Sequence, residues 1–144
     1  MSTPAVTNVQ ASRRIGRSLL ALLAGFFFNV ALSLATDIFV EATHILPVVG
    51  QPLNDAQSAI ATAYRTVFSV LSSFVVARLA PYSPMGHALT GAAIGMVLAT
   101  VGAIVTWNQN LGPHWYPIAL VVLALPAGWV GGKLRLMQLK KADA

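Results

Sequence analysis

The chain has 144 residues, room for one domain, and is 56% hydrophobic with a formal net charge of +5. Only 9% of it is charged, against roughly 25% in soluble domains, which excludes an ordinary water-soluble enzyme, a disordered tail and a secreted disulfide scaffold. The absence of cysteine also excludes thiol catalysis, cysteine-zinc sites and cysteine-ligated clusters.

What remains is an all-α integral membrane protein, and the charges mark out its spans. Arg17 and Asp37 bracket nineteen uncharged residues, roughly 28 Å of helix and close to the hydrocarbon thickness of a bilayer. The first helix is expected over 18–42. Arg13, Arg14 and Arg17 before an apolar run ending in Ser33-Leu34-Ala35 also fit a cleavable signal, and Ser12-Arg13-Arg14 a twin-arginine one. The run exceeds the usual apolar core of about 7–15 residues, which favours a retained span.

The second helix is expected over 55–79, apolar apart from Arg65 and scattered Ser and Thr. Between Arg78 and Lys133 lie 54 residues without formal charge. Asn108 to Pro113 interrupt them, which gives a third helix over 87–107 and a fourth over 114–134. Pro117 falls where a helix begins and loses nothing by lacking N–H, whereas Pro126 should kink the fourth helix.

Short Gly/Pro links at 43–54, 81–84 and 108–113 make sequential helices neighbours. The expectation is a single up-down-up-down bundle with short basic tails and no internal repeat. Eight of the nine Lys and Arg flank the N-terminal side of helices one and three or the C-terminal side of helices two and four. The positive-inside rule then places both termini in the cytoplasm and 43–54 and 108–114 outside. Trp107, Trp115 and Tyr116 are expected in the outer aromatic belt, Tyr82 and Trp129 in the inner one, with His87 nearby. The basic excess is a topology signal and no nucleic-acid footprint.

Gly25, Asn29, Ser33, Asp37 and Glu41 recur every four residues on one face of the first helix. Ser58, Thr62, Arg65, Thr66, Ser69, Ser72 and Ser73 mark a polar side of the second. Lipid cannot satisfy such groups, so both faces should turn inward, either as interhelical hydrogen bonds or as a polar path. Arg65 lies roughly 20 Å above Arg78, and Asp37 about 30 Å above Arg17, so an outward-reaching guanidinium meets the carboxylate. Gly91, Gly95 and Gly102, with Gly128 and Gly132, have the small-residue spacing of closely packed membrane helices.

Glu41, His44 and His114, with Asp37 and Asp55 near, are the candidate ligands for a divalent metal. Glu41-Ala42-Thr43-His44 matches one fragment of a di-iron bundle, but such a site needs more glutamates than the single one here. No nucleophile–base pair stands out, so no catalytic residue and no cofactor are expected.

The segments Ala35-Thr36-Asp37, Gly50-Gln51-Pro52, Ala63-Tyr64-Arg65, Ala77-Arg78-Leu79-Ala80-Pro81, Pro84-Met85, Gly112-Pro113, Trp115-Tyr116-Pro117 and Leu125-Pro126 resemble a group of small bacterial four-helix inner-membrane proteins. The resemblance covers all four helices. It implies a bacterial inner-membrane location and carries no activity, substrate or cofactor. The leading functional expectation is a non-catalytic accessory or interaction subunit. The alternative is a small transporter or channel subunit, acting as a homo-oligomer, with a polar path along helices one and two. The bilayer, a second copy or a larger membrane complex are the expected partners.

Overall fold

The computed structural model describes residues 4–143, with side chains from Gln10 onward, and consists of α1 (Pro4–Ala42), α2 (Asp55–Leu79), α3 (Pro84–Thr106) and α4 (Trp115–Ala142). All four are long and apolar enough to cross a membrane. α1 starts earlier and α4 ends later than the hydropathy implies. Their polar flanks are rich in Ala, Gln, Arg, Leu and Lys, which sustain a helix beyond the apolar segment. The expected basic tails are therefore helical extensions.

Local chemistry sets the other boundaries. Asn54 opens α2 with a reciprocal cap: its Oδ1 accepts the Gln57 N–H at 2.8 Å, while Gln57 Oε1 accepts the Asn54 N–H at 3.0 Å. Ala80 precedes Pro81 and leaves helical geometry. Ser83 turns the chain at φ +41°, and Pro84 supplies the first turn of α3.

Contacts fix the helix directions. Asp37 on α1 meets Arg65 on α2, and Gly25 meets Ser72 and Val76, so these helices run antiparallel. His87 at the start of α3 lies against Ser18 near the start of α1, and Met85 and Ala88 meet Gly132 near the end of α4. The starts of α1 and α3 and the ends of α2 and α4 thus share one end. The connections 43–54 and 107–114 share the other, where the Leu53 N–H donates to the Leu111 carbonyl at 2.9 Å.

Sequential neighbours do not account for all the packing. α4 packs against α2 as closely as against α3, and α1 does not touch α4. Glycines allow the double contact. A Cβ on Gly128 would strike Ala92, and one on Gly132 would lie 3.1 Å from the Ala88 Cβ, both on α3. A Cβ on Gly131 would strike the Val70 carbonyl and come 2.7 Å from the Ser73 Cβ on α2.

Two of the expected packing glycines behave differently. Gly91 is in ordinary contact, with Leu22 and Val76 side chains 3.5 and 3.7 Å from a Cβ placed there, while Gly95 and Gly102 have nothing within 4 Å. Within the chain, Gly95 and Gly102 do not bring helices together. The spacing is right, but no residue of α3 beyond Ala92 is buried, and both positions have open space beside them.

Burial is inverted relative to a water-soluble bundle. The buried side chains are mostly small, including Ala21, Ala61, Ala77, Ala88, Ala92 and Ala127, whereas Phe27, Ile38, Phe39, Ile104 and Val122 point outward and are exposed. Small residues let helices approach, and bulky apolar ones cover the outside.

Candidate functional site

Room left between the helices is divided into two cavities in series. One, of about 410 Å³, sits at the end formed by the connections 43–54 and 107–114. Asp37, Glu41, Tyr64, Arg65, Trp107 and Tyr116 are among its walls. The second, of about 220 Å³, lies deeper between all four helices and includes Asn29, Ser33, Ser69 and Ser72. Arg65, Ala99 and Leu120 line both. Of these only Arg65 is charged, and it stands at the boundary.

Arg65 is held there from α1. Its Nη2 donates to both oxygens of Asp37, at 2.8 and 3.1 Å. The Tyr64 hydroxyl donates to Asp37 Oδ1 at 2.5 Å, so the carboxylate is bound from two consecutive residues of α2. The pair is neither dry nor fully wet: the Arg65 and Asp37 side chains are 35% and 23% exposed. Exposure toward a cavity explains how a charge so far from the helix ends is tolerated. Buried Arg65 Nε and Asn29 Oδ1 have no protein partner. Both residues line the deeper cavity, whose chemistry therefore suits a polar guest.

The hydroxyls of α2 divide by function. Thr62, Thr66 and Ser69 donate to carbonyls four residues back in their own helix. Of the serine and threonine hydroxyls Ser72 alone crosses, donating to the Gly25 carbonyl of α1 at 2.7 Å. Ser58 is fully buried and its hydroxyl has no partner. Thr62, Thr66 and Ser69 are thus self-satisfied, and the bonds from this side to another helix come from Arg65 and Ser72. Ser33 lines the deeper cavity, one turn of α1 from Asp37.

The proposed metal ligands are not gathered. Among the described residues no three His, Asp or Glu side chains come together at metal-binding range. Glu41 Oε1 accepts the Val49 N–H at 2.9 Å and pins the first connection. His44 leaves α1 at φ +56°. His114 packs on Trp107, ring centroids 4.5 Å apart, with Nε2 3.3 Å from the Trp107 carbonyl. The i, i+3 spacing of Glu41 and His44 puts them on one face only if the helix runs through His44, and α1 ends at Ala42, as expected.

Two tyrosines belong to the site that sequence reasoning had not placed there. Tyr116, expected in the outer belt, also lines the loop-end cavity. Tyr64 had no signal beyond its place beside Arg65. Trp115 keeps to the rim, where its Nε1 donates to Asp55 Oδ1 at 2.8 Å. At the other end His87 is buried, with Nε2 2.9 Å from Ser18 Oγ and Nδ1 3.2 Å from the Ser83 carbonyl. Those contacts are structural: they tie α3 to α1.

No family model, curated protein or solved structure matches the chain.

Proposed function

We propose that this chain is a multi-pass protein of the bacterial inner membrane that admits a small solute into the loop-end cavity, as a small transporter or channel subunit. The observation that carries this reading is the pair of cavities in series, separated by the Asp37–Arg65 contact. An accessory subunit needs only a closed, dry bundle, and these cavities favour the solute path over it. The pair acts as a gate. While Asp37, itself held by the Tyr64 hydroxyl, grips the guanidinium, the two cavities are partitioned, and release of Arg65 would join them. The orphaned Arg65 Nε and Asn29 Oδ1 offer polar partners to whatever enters the deeper space.

Membrane insertion is supported by the exterior of Phe, Ile and Val around a core of small residues. A soluble monomer rarely exposes a contiguous apolar surface of more than a few hundred Å². The basic end of the bundle faces the cytoplasm by the positive-inside rule, so the loop-end cavity opens outward and both termini lie inside. Two or more copies working together remain part of the proposal.

Because the chain has no cysteine, single-cysteine variants test this cleanly. In intact cells an impermeant thiol reagent should label Gln51→Cys and Gly102→Cys but not Tyr82→Cys. Labelling of Tyr82→Cys with none at Gln51→Cys would invert the orientation. An inert Gly102→Cys beside a reactive Gln51→Cys would refute solute access to the cavity.

A further inference from the structure

We infer that the loop-end cavity selects a small organic cation carrying an apolar body, a substrate class that rests on the solute-path reading above. Three charged side chains line the cavity: Asp37, Glu41 and Arg65. Arg65 and Asp37 neutralise each other at 2.8 Å. That leaves the negative charge of Glu41, whose carboxylate accepts, among the described residues, one hydrogen bond, from the Val49 N–H to Oε1. An ammonium entering here meets a carboxylate with no cationic partner and displaces no existing ion pair. An anion can meet the full charge of Arg65 only by taking it from Asp37. It would then leave two carboxylates unpaired in a confined, low-dielectric space, the costly outcome for buried charge.

The distribution of charge along the bundle points the same way. Asp37, Glu41 and Asp55 stand toward the cavity end, where Arg65 is the single basic residue. The other eight Lys and Arg, from Arg13 to Arg17, Arg78, and Lys133 to Lys141, belong to the opposite end. A negative mouth over a positive far end draws cations toward the cavity and turns anions away. The walls fit the rest of such a molecule. Tyr64, Trp107 and Tyr116 present aromatic rings, which attract a cation over their faces and accept apolar surface at their edges. Gly102 leaves space beside α3 for that apolar body, with nothing within 4 Å of a Cβ built there.

The test uses two probes of permanent and opposite charge on the same phenyl body, benzyltriethylammonium and benzenesulfonate. Calorimetric titration into the full chain in lipid nanodiscs should show the cation binding at least ten times more tightly than the anion. Glu41→Gln keeps an oxygen for the Val49 N–H, so its folding is undisturbed. It should weaken the cation at least fivefold and leave the anion unchanged. Gly102→Leu fills the space and should abolish cation binding with the melting temperature unaltered. Equal binding of the two probes, tighter anion binding, or an unaffected Glu41→Gln would overturn the cation assignment while leaving the cavity as a solute site. If neither probe binds and Gly102→Cys is also unreactive in cells, the solute-path reading fails together with it.

Discussion

Arg65 on α2 grips Asp37 on α1 through one nitrogen, Nη2, which reaches both carboxylate oxygens and leaves Nε without a protein partner. A side-on, two-oxygen fork through both Nη2 and Nε would use the guanidinium fully. The single-nitrogen grip holds the helices together while part of the cation still faces the deeper cavity. That geometry suits a contact that opens.

Removing one partner should cost more than removing both. A pair this exposed sits below the about 3–5 kcal/mol of a fully buried one, so Asp37→Asn or Arg65→Gln alone should lose about 2 kcal/mol. The double variant should recover more than half of the summed loss. Unfolding titration with a denaturing detergent measures the cycle, and simple additivity would mean that the pair contributes nothing to the fold.

The glycines of α4 and α3 should respond in opposite directions. Gly131→Ala drives a methyl into the Val70 carbonyl and the Ser73 side chain, an overpacking loss of about 2 kcal/mol or more. Gly95→Ala meets nothing and gains up to about 1 kcal/mol of helix propensity. Melting temperatures falling for the first and holding or rising for the second are the expected pattern.

Across the α1–α2 seam, backbone approach should outweigh the hydrogen bond. Ser72→Ala removes the donor to the Gly25 carbonyl, worth about 0.6 kcal/mol on the average for membrane helices. Gly25→Leu would force the side chain onto Val76 and the Ser72 carbonyl and should lose several times as much. Equal losses in the same detergent titration would mean that the hydrogen bond, rather than close packing, fixes the seam.

The four helices were legible because uncharged stretches between charges are a coarse signal that survives without tertiary detail. The Asp37–Arg65 meeting was legible too, since antiparallel helices turn depth along the chain into proximity. What the sequence hid was sidedness. Gly91, Gly95 and Gly102 have the spacing of a packing seam, yet all three line the cavities, and Gly95 and Gly102 meet nothing within 4 Å. The helix that does wedge between two others is α4, through Gly131 as well as Gly128 and Gly132. A three-residue offset from Gly128 turns Gly131 toward α2, a second contact that a search for one small-residue stripe passes over. The place of Tyr116 in the cavity wall was hidden for a related reason. An aromatic beside a polar loop satisfies an interfacial belt and a cavity wall equally well, and only helix rotation decides between them.

The gate is tested most directly by the reactivity of a cysteine in the deeper cavity, with and without the ionic contact above it. Gly95→Cys should react slowly with an externally added cationic thiol reagent while Asp37 holds Arg65. In the Asp37→Asn background it should react at least ten times faster, with Ile104→Cys on the exposed outer face of α3 inert in both. Equal rates for Gly95→Cys in the two backgrounds would contradict the account, because the Asp37–Arg65 pair would then separate nothing.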